Sequence, residues 1–164
     1  MPDLETPRLR LHALTGAEAD VLGAGGLPGG WAYAAGYPLS DTRDGVGLYL
    51  RHGDRSYGFH FVVRRDDARV IGEIGFVSPP RRGVVMIGYA IVPAARRQGY
   101  ATEAIEALTA WSLEQPGVDH VRAQTLPDNE ASIRALLRAG FEEDEPGARV
   151  RRFVKVRPAG CRKV

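Results

Sequence analysis

The sequence is poor in the residues that build cross-links. Its 164 residues include a single cysteine, Cys161, from which neither a disulfide framework nor a Cys/His metal set can be built. A reducing cytoplasm is therefore the expected compartment, and no metal is expected. Lysine is nearly absent, Lys155 and Lys163 being the only two, so arginine sets the pI near 8.9. The net charge is only +2 and the basic residues are scattered, so no nucleic-acid partner is expected. No apolar run approaches the roughly 18 residues of a bilayer span, and the opening MPDLETPRLRLHAL lacks the apolar core of a signal peptide. No membrane partner is expected. Two common phosphate motifs are missing as well: there is no GxxxxGKS or GxxxxGKT, and no GxGxxG follows a strand.

What is present suits one globular domain over residues 1–164, since a chain of this size buries roughly 70% of its unfolded surface. RLRLHAL, Arg8 to Leu14, alternates at period two and reads as a strand. A helix is expected next, with Thr15 and Glu18 at capping-box spacing. The glycine-rich segment Gly23 to Asp41 gives no confident element and reads either as a substrate-facing loop or as a plain flexible one. A short helix near Thr42 to Arg51 comes before three strands: Ser56 to Arg65, Arg69 to Ser78 and Val84 to Val92. Turn signals between them predict an antiparallel meander, and Gly72, Gly75 and Gly88 leave room for bulges or close backbone approach.

Helices then alternate with strands. From Gly99 to Gln115, Ala101, Ile105, Leu108 and Trp111 are expected on one face, with Glu103, Glu106, Ala110 and Glu114 opposite. HVRAQTL reads as a short strand. DNEASIRALLRAG reads as a helix capped by Asp128 or Asn129, burying Ile133, Leu136 and Leu137 and ending at Gly140. Two last strands, near Phe141 to Glu143 and Arg149 to Arg157, complete the order β-α-α-β-β-β-α-β-α-β-β. The fold class is α/β (α+β), with a mixed, mostly antiparallel sheet of about seven strands.

The stretch VPAARRQGYATEAIEAL, Val92 to Leu108, runs from the end of a strand through a glycine turn into a helix. The first amides of a helix lack partners within it and the macrodipole adds positive charge there, so such an end binds phosphate. Gly99 admits a close ligand, Ala101 adds little bulk, and Arg96 and Arg97 can add charge. Taken alone, the stretch reads equally as a helix entrance with solvated arginines.

RRQGYA, Arg96 to Ala101, resembles the (Q/R)-x-x-G-x-(G/A) acetyl-CoA signature of the GNAT N-acetyltransferases. The longer IGYAIVPAARRQGYATEAIEAL resembles the branch that acetylates ribosomal-protein N-termini. ETPRLRLHAL is similar to that branch's opening strand, and NEASIRALLRAGF to its second cofactor motif. The resemblance spans nearly the whole chain in the right order. It implies a GNAT-like domain in which Arg96, Arg97, Gln98, Gly99, Tyr100, Ala101 and Thr102 surround the coenzyme A pyrophosphate. It also implies that backbone at Ile91 and Val92 pairs with the pantetheine arm and that Asn129 contacts that arm. Asn129 also reads as a plain helix cap, and Ser132 as an exposed helical serine.

The family transfers the acetyl group directly, with no acyl-enzyme, so Cys161 is not the expected nucleophile. Many members carry an acidic residue just before IGY; Met86 stands there in this chain. Glu73, in IGEIGF, is the candidate base because apolar surroundings raise a carboxylate's pKa. The competing reading is an outward-facing glutamate at a sheet edge. His60 is a second candidate, or a hydrogen-bonded structural histidine, and Glu103 reads as structural. No tyrosine follows Tyr100, so Ser132 is the fallback acid for the departing thiolate, directly or through water, unless the thiolate leaves into solvent. Trp31, Tyr33 and Tyr37 are expected to wall the acceptor pocket. The function implied is acetyl-CoA-dependent N-acetylation of a protein N-terminus or a small-molecule amine, by a monomer or a homodimer. The alternative is a non-catalytic acyl-CoA-binding sensor or scaffold of the same fold.

Overall fold

The structure, a computed structural model, describes residues 1–51, 56–144 and 149–158; Cys161 and Lys163 lie outside them. The first half contains β1 (Leu4–Glu5), β2 (Leu9–Ala13), α1 (Gly16–Gly23), β3 (Ala32–Tyr33), α2 (Thr42–Arg51), β4 (Phe59–Arg64) and β5 (Arg69–Arg81). β6 (Val84–Ile91), a turn of 3-10 helix (Pro93–Ala95), α3 (Tyr100–Glu114), β7 (His120–Thr125), α4 (Glu130–Arg138), β8 (Glu142–Asp144) and β9 (Arg151–Val156) follow.

All strands join one sheet in the order β1-β2-β4-β5-β6-β7-β9-β8, with β3 added beside β5. The nine strands among the described residues exceed the seven expected because β1 and β3 have two residues each. A strand that short cannot show an alternating pattern. The sheet is antiparallel except for β6–β7 and β3–β5. The meander of β4, β5 and β6 forms as expected. At Gly72 a side chain is excluded outright, since a Cβ would stand 2.1 Å from the Ala90 carbonyl oxygen of the neighbouring strand.

The sheet has two differently covered faces. Thr42 of α2 reaches Glu73 on one, and α1 packs against α2. On the other, Trp111 of α3 meets Phe76, and α4 packs on α3, β7 and β8. The Thr15–Glu18 capping box opens α1 as expected.

Two helix faces differ from the sequence reading. In α3, Ala104, Ile105, Leu108 and Leu113 are buried, while Ala101 and Trp111 are only half-buried. Trp111 packs at a tilt against Tyr57 and the buried Phe76, at the margin of the core. In α4, Ala135 is buried with Ile133 and Leu136, whereas Leu137 is 49% exposed. Successive helix residues are about 100° apart, and Leu137 falls outside the arc facing the sheet.

The feature that makes a site is the join between β6 and β7. They pair in parallel only from Val84↔His120 to Met86↔Arg122. Past Met86 the strands part, and β6 runs on to Ile91 paired with β5 alone. The edge of β6 beyond the parting opens into a cavity of about 480 Å³.

Candidate active site

The cavity has three walls. The end of β6 contributes Tyr89, Ala90 and Ile91; the loop into α3 contributes Arg96, Arg97 and Gly99 through Thr102; and α4 contributes Asn129 and Ser132. The loop wall is shaped by backbone conformation. Arg97 has φ of 59°, and Gly99, at the N-cap of α3, has φ of 83°, a left-handed value that glycine adopts without strain. With no side chain at the N-cap, the amides of the first turn are left uncapped at the positive end of the helix dipole.

Arg8, just before β2, holds this loop from outside. It donates from Nη1 to the Gln98 carbonyl (2.8 Å) and from Nε to Glu103 Oε2 (2.7 Å), and its guanidinium lies 4.7 Å over the Tyr100 ring. Glu103 Oε1 also accepts from Thr6 Oγ1 (2.6 Å) and the Arg8 amide (2.9 Å). Burial favours its neutral form, but these hydrogen bonds prevail and its pKa falls below the ordinary value. Glu103 is thus a brace for the loop, as the sequence suggested.

Two expected cofactor residues are not brought to the cavity. Val92 is wholly buried, and its amide donates inward to Ile71 O (2.9 Å) because the chain turns away from the edge there. Gln98 points elsewhere, its side chain donating to Ala94 O (3.1 Å) and its carbonyl accepting from Arg8. At Ile91 the carbonyl accepts from Arg96 Nε (2.8 Å), so Arg96 also braces the bend. Asn129 both lines the cavity and caps α4, its Oδ1 accepting from the Ser132 amide (3.1 Å).

Tyr89 is the residue that the sequence reading missed. Its hydroxyl lies 2.6 Å from Ser132 Oγ, and burial pushes its pKa up to about 12 against the lowering effect of that contact. Strand alternation carried a partial signal, since Tyr89 and Ile91 share a face opposite Ala90. Its partner, 43 residues away, left no sequence signal.

Glu73 lies behind the cavity, with Ala90 as its cross-strand neighbour. It is not at an exposed edge: it is 3% exposed, in the middle of the sheet. Its Oε1 accepts from Thr42 Oγ1 (2.7 Å), which itself accepts from the Leu39 amide (3.0 Å). Oε2 has no hydrogen-bond partner among the described residues. Burial raises its pKa to about 7; the Thr42 and Tyr37 hydroxyls act to lower it, and the charge on Asp41 adds to the rise. Asp41, just before α2, lines the cavity, whereas Glu73 itself is buried behind the Ala90 wall and does not line it.

His60 is the structural histidine. It neighbours Ile74 while Phe61 neighbours Glu73, so it faces the opposite side of the sheet from Glu73. Its Nε2 is 2.9 Å from Pro2 O, and burial pushes its pKa down to about 4.

The three aromatic residues divide. Tyr37 is buried near Glu73, where burial and that carboxylate raise its pKa. Tyr33 stacks on Tyr37 with centroids 5.4 Å apart, its hydroxyl donating to Pro28 O (2.6 Å). Trp31 donates to Glu18 Oε1 (2.8 Å) and lines a separate hollow with Arg10 and Arg64. Phe61, beside Glu73, touches all three rings.

A family model described as acetyltransferase (GNAT) domain matches residues 8–142, from β2 to the start of β8. This chain belongs to the GNAT acetyltransferase family. It is 28% identical over 110 residues to the uncharacterized N-acetyltransferase YjdG of Bacillus subtilis, and 36% identical over 84 residues to YoaA of the same organism. The matches cover 66% and 51% of this chain, and 66% and 48% of the relatives, just under two thirds of one and about half of the other. Its fold is similar to that of the ribosomal-protein-S5-alanine acetyltransferase from Vibrio fischeri, with TM-score 0.69, 13% identity, and 97% and 98% of the two chains covered. It is likewise similar to RimL, the ribosomal L7/L12 alpha-N-protein acetyltransferase in complex with coenzyme A. There the TM-score is 0.67 at 17% identity, with 94% and 98% covered. At such identities the likeness is one of fold. Among the described residues no helix is long and apolar enough to cross a membrane.

Proposed function

We propose that this GNAT-family protein is an N-acetyltransferase that moves an acetyl group directly from acetyl-CoA to a primary amine, on a protein N-terminus or a small molecule. One observation carries the reading: the free edge of β6 and the uncapped start of α3 open into one cavity whose far side backs onto Glu73. Its walls suit the cofactor. Uncapped amides and Arg97 fit a diphosphate, and the absence of a Cβ at Gly99 lets it approach the backbone. The β6 edge at Ala90 and Ile91 suits an extended amide-bearing arm. When bound, acetyl-CoA supplies an acyl group activated as a thioester.

The chain's own residues do the rest. Glu73 takes a proton from the incoming ammonium, leaving a neutral amine, and a pKa near 7 suits that exchange at neutral pH. Thr42 fixes one carboxylate oxygen and leaves Oε2 to receive the proton. On the other face, the Tyr89 hydroxyl paired with Ser132 holds a proton available to a departing thiolate. Tyr37, with Tyr33 stacked upon it, walls the approach to Glu73. Trp31 supports this wall only indirectly, packing on Phe61 from the side of its own separate hollow. A buried carboxylate with a free oxygen beside the cavity favours catalysis over a purely binding role.

The test is thermal denaturation with and without acetyl-CoA. A ligand at about 100 times its Kd contributes about 2.7 kcal/mol, several degrees in Tm for a domain of this size. Absence of stabilisation by acetyl-CoA or any other acyl-CoA would overturn the reading.

A further inference from the structure

Among the described residues that line the cavity, Asp41 is the only carboxylate; the other charged side chains are Arg96, Arg97, Arg134 and Arg138. The arginines come from the loop before α3 and from α4, the walls that suit the cofactor. Asp41 comes from the other face of the sheet, where α2 reaches Glu73.

The carboxylate of Asp41 is not spent on local structure. Its backbone carbonyl accepts from the Gly45 amide (3.0 Å) as α2 begins, but the turn into that helix is closed by its neighbours. Thr42 Oγ1 accepts from the Leu39 amide (3.0 Å), and the Thr42 amide donates to Leu39 O (3.1 Å). The Asp41 side chain is exposed, its Oδ1 accepts from Ser40 Oγ (2.8 Å), and no guanidinium or ammonium among the described residues pairs with it.

Glu73, in contrast, is buried behind Ala90, so an amine that enters the cavity as an ammonium first meets another group. Asp41 is that group by position. The residue after it, Thr42, donates to Glu73 Oε1 (2.7 Å), and the charge of Asp41 is felt at Glu73, where it adds to the rise in pKa. A carboxylate without a cation gains charge-assisted hydrogen bonds from an ammonium and repels a second carboxylate.

We infer that Asp41 is the docking carboxylate for the acceptor: it binds the ammonium of the incoming amine and turns away amines that carry a carboxylate beside it. This rests on the transfer reading above and narrows its substrate class. Peptide N-termini, whose neighbouring group is an amide, and simple alkyl amines are accepted; free amino acids are not.

Thiol release from acetyl-CoA tests this with N-terminal peptides, amino-acid amides and the matching free amino acids, the last two differing in one carboxylate. The assay is run near pH 8, where Glu73 is already ionised and a change in its pKa is silent. The wild-type protein is expected to favour the amides about tenfold in kcat/KM, the size of one charge-assisted contact. Asp41→Asn is expected to lose most of that preference through a higher KM for the amides, with kcat little changed. Asparagine caps a helix as well as aspartate does, so Tm and the stabilisation by acetyl-CoA should match wild type. Equal wild-type use of amide and free acid, or a variant that keeps the preference, would overturn the docking role while leaving the transfer reading intact. Absence of thiol release with every amine would remove that reading and the docking role together.

Discussion

Glu73 sits where a carboxylate is costly to ionise, and the consequences can be measured in both activity and stability. Its folded pKa, about 7, exceeds the ordinary 4.5, so the folded state holds a proton that the unfolded chain releases between those values. Stability therefore falls as pH rises from about 4.5 to 7, and the full loss, of order 3 kcal/mol at most, persists above 7. Glu73→Gln, which cannot ionise, is expected to raise Tm by several degrees near pH 8 and hardly at all near pH 5. In the same variant acetyl transfer should fall by about 100-fold or more, as for a lost general base. In the wild-type enzyme, kcat/KM should rise as pH increases through about 7, where the carboxylate ionises. A flat profile over that range would remove Glu73 from the reaction. Tyr89→Phe tests the opposite side: it deletes only the hydroxyl that meets Ser132. It should lower kcat by roughly 10- to 100-fold while leaving the affinity for acetyl-CoA nearly unchanged, as measured by single-turnover rates beside direct titration.

At the scale of elements, the parting of β6 from β7 and the uncapped start of α3 make the binding wall. The turn between them depends on Gly99. A Cβ at this left-handed position would meet Arg8 Nη2 at 3.2 Å, and the backbone conformation itself disfavours a side chain by about 1–2 kcal/mol. Gly99→Ala is thus expected to lower Tm by a few degrees and to weaken acetyl-CoA binding at least tenfold. Unchanged affinity in calorimetry would take the diphosphate away from this turn. Much of this architecture was legible in the sequence. Alternation and turn residues located the meander, and the glycine signature located the start of α3. Two kinds of feature were not legible. β1 and β3 are too short to carry a pattern, and β3 lies in the glycine-rich segment where propensity gives no element. The half-burial of Trp111 and the exposure of Leu137 follow from how each helix is rotated on the sheet, which periodicity alone fixes only to within part of a turn.

Across the whole molecule, the site is assembled from residues far apart in the chain. Thr42 meets Glu73 across 31 residues, Tyr89 meets Ser132 across 43, and Arg8 holds Gln98 across 90. Glu73 and Ser132 stood out in the sequence as candidates, Glu73 by its apolar neighbours and Ser132 by its motif, but their partners did not, because only the fold brings them together. Val92 shows the reverse: its place in the motif pointed to the cofactor, whereas the turn of the chain directs its amide to Ile71. The resulting layout puts the proposed base on one face of β5–β6 and the Tyr89–Ser132 pair on the other, with the free edge of β6 between them. The most direct measurement of the central claim is thiol release from acetyl-CoA across a panel of N-terminal peptides and small amines, with the acceptors weighed by mass spectrometry. The account predicts one acetylated primary amine for each thiol released, a rate that grows as pH rises through about 7, and loss of both signals in Glu73→Gln. Tight acetyl-CoA binding with no thiol released to any amine would contradict it.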